Sequence, residues 1–291
     1  LTFKAGDGFS PIFDGDGTAT YCMKAWAGWT VQGLTFRNFG TSNTHNVIHQ
    51  YYNHLAATIR DCTFYKITGS AASFGLDGTL YERNVVYDCT KYGLDAILAR
   101  GTVVNNLIYD CRSLAISANF STVKHNTVYN SPRRGDPDSA RNYGIRGGGV
   151  YYNIVMNSNP DIAAVSAFWD HAYNCITGSS IYANTYSTSV STGELNVDPT
   201  FTDADGHDFT IPLTSPCVNH ATNSDVTFGF AATNPPSSIP HSGSRIWDFS
   251  GKVLGTVANT YEIGCYEYNE SKICGVRVLR AKKINGVADT P

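Results

Sequence analysis

The sequence predicts an all-β fold, a single-stack β-solenoid whose coils run about 20–28 residues. Three observations predict it. Short segments recur: GLTFRN (33–38), DCTFYK (61–66), NVVYDC (84–89), NLIYDC (106–111), NTVYNS (126–131) and NIVMNS (153–158), with a weaker NCITG from Asn174. Their spacings are 28, 23, 22, 20, 27 and 21, too irregular for leucine-rich repeats but suited to coils whose turns vary in length. The composition agrees, because charged residues are only 15% of the 291 while Gly (27) and Tyr (18) are plentiful.

Each unit reads alike. A short strand such as Thr102–Val104 ends at an Asn pair, a second strand such as Leu107–Tyr109 follows, then a variable turn and a third strand such as Leu114–Ser117. Asn suits the sharp corner because it tolerates left-handed backbone and bonds locally. Stacked coil on coil, Asn84, Asn106, Asn126 and Asn153 are expected to form a ladder of side-chain amides, with Cys89 and Cys111 stacked likewise. Neighbours in such a stack lie about 4.8 Å apart. The recurring tyrosines 51, 52, 87, 109, 129, 151 and 152 read as stacked structural aromatics. Asp61, Asp88 and Asp110 read as turn residues.

The bulk numbers exclude some classes. A net charge of −3 carries no nucleic-acid footprint. No apolar run reaches transmembrane length, so membrane insertion is not expected. The eight cysteines form no CxxC pair, which argues against zinc and thioredoxin-like chemistry, and they read as small buried apolar groups. A start at Leu1 with no leader ahead of it predicts a processed or trimmed piece of a longer chain.

The opening LTFKAGDGFSPIFDGDG, followed by WTVQGLTFRNFG, resembles the first coils of the right-handed parallel β-helix proteins of the pectate-lyase type. VDPTFTDADGHDFTIPLTSPCVNHA and DFSGKVLGTVANTYEIGCYEY resemble their closing segment. The resemblance covers roughly 1–268 and implies coils over 1–196 and closing coils over 197–268. Residues 269–291, with Lys272, Arg277, Arg280, Lys282 and Lys283, fall outside it and read as an extended tail or linker. It also implies a protein outside the cell, on the cell surface or on a virion, with a polysaccharide as partner. The oligomeric state is open, a trimer being expected of a tailspike-like member. The architecture hosts lyases, hydrolases and adhesins alike, so it settles no reaction.

The resemblance implies a site on the outer face of the strand after the variable turn. Aligning Gly75-Leu76-Asp77-Gly78 with Gly93-Leu94-Asp95-Ala96, and both with Val47-Ile48-His49, Leu114-Ala115-Ile116-Ser117 and Tyr143-Gly144-Ile145-Arg146, gives one outward column: His49, Asp77, Asp95, Ala115, Gly144. Ser117 and Arg146 fall in the neighbouring column. Asp77 and Asp95 on adjacent rungs would lie about 5 Å apart, close enough to split their pKa values and to serve a retaining glycosidase. The same pair could instead hold Ca²⁺, or be two solvated strand-end groups. The long turn 131–142 brings Arg133, Arg134 and Arg141 toward that face, where with Arg146 they bracket an acidic sugar or pair with Asp136 and Asp138. Tyr143 is a second base beside His49, and Trp169 is a sugar platform or a packing residue.

Three readings follow. The first is a lyase that cleaves a uronate polymer by β-elimination, which needs a cation to neutralise the carboxylate, a base for the adjacent proton and an acid for the leaving oxygen. Arg146 and the loop arginines, or Ca²⁺, neutralise; His49 or Tyr143 is the base. The second is a glycoside hydrolase on Asp77 and Asp95. The third is a non-catalytic glycan-binding adhesin, tailspike-like or surface structural protein.

Overall fold

A computed structural model describes residues 1–6, 9–25, 28–42, 45–50, 56–89, 97–112, 114–131, 144–156, 165–177, 193–212 and 214–217, and six two-residue strands between 221 and 277. Their interior is a parallel β-solenoid, as the repeat predicts. One sheet stacks, in order, Thr2–Lys4, Thr30–Gln32, Thr58–Arg60, Ser70–Glu82, Ile97–Val104, Ile116–Lys124, Ile145–Tyr151 and Val165–Ala172, with Met23–Ala25 and Asn46–Gln50 alongside Ser70–Glu82. The other stacks eight short strands from Ile12–Asp14 to Cys175–Ile176. The pairing within both sheets is parallel.

The long strands are two legs joined at a bend. Register breaks fall between Ala99 and Gly101, Ala118 and Thr122, and Gly147 and Gly149. Gly101 is required at its bend, since it takes φ 132° and a side chain there would run into the Thr79 carbonyl of the coil below. Each coil is therefore three short strands around one apolar interior. Phe36, Phe64, Val86, Ile108, Val128, Val155 and Ile176 line it from the short-strand sheet, and Val31, Ile59, Tyr81, Val103, Val123 and Val150 from the opposite leg. Phe13, Phe36 and Phe64 stack ring on ring at 5.4 and 5.0 Å.

The corner between the second leg and the short strand explains the repeat. Asn84, Asn106, Asn126, Asn153 and Asn174 form the expected ladder, fully buried. The Oδ1 atoms of Asn106, Asn126, Asn153 and Asn174 each accept from the backbone N–H and the Nδ2 of the asparagine below, at 2.9–3.0 Å, and that of Asn84 accepts from the Cys62 N–H at 3.1 Å. Each Nδ2 also donates to a carbonyl inside the coil, as Asn106 does to Tyr81 and Val104. One expectation needs correcting: the ladder residues are not the left-handed ones. That conformation belongs to the residue just before each, Arg83, Asn105, His125, Tyr152 and Tyr173, with φ between 53° and 58°. The preceding residue makes the turn, and the asparagine points its amide inward to satisfy the backbone that the turn exposes.

At the next corner Lys66, Asp88, Asp110 and Asn130 take the left-handed backbone, so Asp88 and Asp110 are turn residues as read; Asp61 is one too, at the first corner. Cys89 and Cys111 are buried one rung apart, and burial, with the Cys111 thiol second, pushes the Cys89 thiol well up. Tyr65, Tyr87 and Tyr109 stack at 5.0 Å with rings within 4° of parallel; Tyr51 and Tyr52 lie outside the described residues.

Residues 197–217 turn back over the outer face of the short-strand sheet. Phe201 and Phe209 pack on Tyr109 and Tyr129, and the Tyr129 hydroxyl donates to Asp205 at 3.3 Å. Three antiparallel pairs of two-residue strands follow. Position 268 lies outside the described residues. No helix among the described residues is long and apolar enough to cross a membrane.

Candidate functional site

The face after the variable turn is the first leg of the long strands. Ile48, Ala72, Ile116, Ile145 and Val165 share one register position there and face the core. The next register position runs Lys24, His49, Ser73, Leu98, Ser117, Arg146, Ser166. Of these, the described side chains of Lys24, His49, Ser117 and Arg146 point away from the core. Lys24 and His49 are rung neighbours, and so are Ser117 and Arg146. His49 and Arg146 are half-buried, Ser117 is 5% exposed. Four rungs separate His49 from Arg146, about 19 Å at the usual strand spacing.

This register corrects the column expected from sequence. His49, Ser117 and Arg146 belong to one column, not two. Ala115 is fully buried in the core rather than outward, and Gly144 is buried. Asp77 lies in Ser70–Glu82 at the bend, between Phe74, which pairs with Ala99, and Thr79, which pairs with Gly101. Ala99 is already four residues past Asp95, and Phe74 is three residues before Asp77. The bend there absorbs four residues of the coil that carries Asp77 against one of the next. The side chain of Asp77 and the whole of Asp95 lie outside the described residues.

The expected calcium pair therefore lies outside the described residues, among which no three His, Cys, Asp or Glu gather into a metal-holding group. Arg133, Arg134, Arg141 and Tyr143 lie outside the described residues. Trp169 is placed by its backbone in Val165–Ala172 at the register break between Ala167 and Asp170, and its side chain is not described.

The electrostatics of the Lys24–His49 rung are specific. Burial, and then the charge of Lys24, hold His49 below the usual imidazole pKa. His49 is therefore neutral at pH 7, and one ring nitrogen carries a lone pair. Its Nδ1 lies 3.4 Å from the Asn46 side-chain amide. The Asn46 atom facing it is the amide nitrogen Nδ2, and the tautomer sets which of the two donates. The Lys24 ammonium stands 4.0 Å from the ring centre of Tyr21, which is 45% exposed. A neutral imidazole, an ammonium and an exposed aromatic ring thus share one end of the face.

Lys24 escaped the sequence reading because Met23–Ala25 is too short to match the repeat. Glu194 also escaped, although its signal was present: it follows Asn174 by 20 residues, the interval between Asn106 and Asn126. A separate polar groove of about 590 Å³ lies among Asp16, Asn38, Lys66 and Thr68, at the corner after the short strands. Its Asp16, Asn38 and Lys66 are left-handed turn residues, which accounts for them structurally.

No protein-family model matches the chain, and no curated protein matches it. The fold is a parallel β-solenoid, an architecture compatible with carbohydrate-active and tailspike-like proteins.

Proposed function

We propose that the protein is a polysaccharide lyase, acting on a uronate-containing polymer laid along the outward column of the first leg. The observation that carries the reading is the Lys24–His49 rung. Lys24 neutralises the uronate carboxylate, which acidifies the adjacent C–H. Neutral His49 takes that proton on its unprotonated ring nitrogen, the C–O bond to the leaving sugar breaks, and a C=C bond forms in its place. The imidazolium then returns the proton to the leaving oxygen, so one group serves as base and acid. Arg146, about 19 Å along the column, holds the carboxylate of a sugar further down the chain. Such a protein works where its polymer is, outside the cell, on its surface or on a virion.

The test is a panel of acidic and neutral polysaccharides, followed by ultraviolet absorbance of unsaturated products and by new reducing ends, with and without chelator. Absorbance together with reducing ends is expected, abolished in H49A. Reducing ends alone would move the reading to hydrolysis. One feature favours a binding-only adhesin: His49 and Arg146 line a long face instead of converging on one atom. Polymer binding without turnover across the panel would establish that reading, and a trimeric mass in solution would make it spike-like.

A further inference from the structure

We infer that Cys175 and Cys217 are a disulfide-forming pair that fastens the returning segment 197–217 to the last coil of the ladder. Cys175 begins the final strand of the short-strand sheet. Ile176 faces the main core, so Cys175 faces the other way, into the cluster of Tyr151, Tyr152, Ile154 and Tyr173 that also holds Cys217. Both cysteines are fully buried.

The returning segment reaches Cys175 from two sides. Cys175 Sγ donates to the Val197 carbonyl at 3.3 Å. The Ser215 hydroxyl donates to the Pro199 carbonyl at 2.6 Å and accepts from the Cys217 N–H at 3.2 Å. These bonds hold the chain at 197–199 against the chain at 215–217 and place both thiols in one buried cluster. The neighbouring Cys217 thiol, with burial second, pushes the Cys175 thiol far up.

Cys89 and Cys111 supply the contrast. They too are buried neighbours, but they sit on adjacent rungs of one parallel sheet. The ladder holds such positions about 4.8 Å apart with their Cβ vectors parallel, beyond the ~3.5–4.5 Å that a disulfide requires between Cβ atoms. Cys217 belongs to no ladder, so its backbone can settle at disulfide distance from Cys175. One pair cross-links and the other stays a dithiol.

The reaction breaks two S–H bonds and forms one S–S bond. Two protons and two electrons pass to an oxidised dithiol reagent such as glutathione disulfide, which leaves as two thiols. It goes through a mixed disulfide. Because both thiols are buried, exchange occurs while the segment is open, before closure or during local opening.

The full-length protein is incubated with excess oxidised glutathione in sub-denaturing urea, quenched with N-ethylmaleimide in denaturant, digested and weighed. The expected result is one cross-linked peptide pair containing Cys175 and Cys217, two hydrogens lighter than the free peptides, with Cys89 and Cys111 alkylated. Alkylation of both Cys175 and Cys217, or their pairing with any other cysteine, overturns the inference. Melting gives an independent readout. Reductant lowers the Tm of the oxidised protein by roughly 5–10 °C and leaves C217S unmoved. Equal sensitivity of C217S to reductant overturns the inference as well; if C217S does not fold, the peptide masses decide.

Discussion

Glu194 terminates the asparagine ladder by imitating its next rung. Its Oε2 accepts the Asn174 N–H at 2.9 Å, and its Oε1 accepts the Asn174 Nδ2 at 3.2 Å. In every earlier coil one asparagine oxygen receives both bonds; here the carboxylate divides them. The same Oε1 lies 3.0 Å from His171 Nδ1, which adds a contact no asparagine rung has. A carboxylate suits the end of a stack of amide donors because it needs no acceptor above it.

Removing this cap should open the last coil. E194A leaves two buried amide donors of Asn174 without this acceptor and is expected to cost about 1–3 kcal/mol in urea unfolding. E194Q keeps a carbonyl oxygen and should cost less. Equal losses for the two variants would mean that the charge, not the acceptor geometry, holds the end.

Interior rungs should be costlier. Asn106 makes three Nδ2 bonds, to Tyr81, Val104 and Asn126, and its Oδ1 receives two from Asn84. N106L should destabilise by about 2–4 kcal/mol, since it strands donors and acceptors in two neighbouring coils. N106D keeps the shape but sets a carboxylate against the carbonyls of Tyr81 and Val104, so its loss should shrink as pH falls and the carboxyl becomes a donor. A loss that does not change with pH would contradict this account of the ladder.

Lys124 predicts a gain. Val123 faces the core, so Lys124 points outward between Val104 and Tyr151, yet it is only 7% exposed. Burial pulls its ammonium down to about 8 from the ordinary 10.5. The unfolded chain binds this proton more tightly, so the cost is full below pH 8, about 3 kcal/mol, and fades as pH rises from about 8 to 10.5. Stability of the native protein should rise over that window, on top of the titration of other groups. K124M should be more stable at pH 7 by about 1–3 kcal/mol and should lose that share of the rise. Unchanged pH dependence in K124M would remove Lys124 as the source.

His49 sets the expected pH profile of turnover. It must be neutral to accept a proton, and its pKa is lowered by burial and by Lys24. The acid limb of kcat/KM should therefore have its midpoint below pH 6.5, with a plateau above it. H49A should reduce kcat by about 10²–10⁴-fold while polymer binding persists. K24M should move the limb to higher pH by removing the repelling charge, and it should raise KM. A limb that stays in place in K24M would separate the two residues functionally.

Much of the coil was legible because it is repeated. A residue type recurring every 20–28 positions must meet its own copies when coils stack, which foretold the Asn84–Asn153 ladder and the Cys89–Cys111 neighbours. The asparagines were nevertheless assigned the wrong backbone. Sequence shows that Asn stands at a corner, but not which of two adjacent residues turns and which one points inward. Arg83, Tyr152 and Tyr173 carry the left-handed turn without any preference for it, because the buried amide next door rewards the geometry.

The candidate site was legible only in part. The register puts His49, Ser117 and Arg146 in one column, which the sequence divides between two, because the bends after Phe74, Ala99, Ala118 and Gly147 absorb different numbers of residues. A one-residue slip reverses a strand residue from core to solvent, so a local match such as Gly-Leu-Asp cannot set register across a bend. The sequence by itself determined that this chain stacks into coils, and which residues recur at their corners. Only the tertiary structure decided which side chains share a rung, that Lys24 stands beside His49, and that Glu194 and Cys217 close the final coil. Recurrence is a property of the chain, whereas register is the net outcome of every bend along the stack.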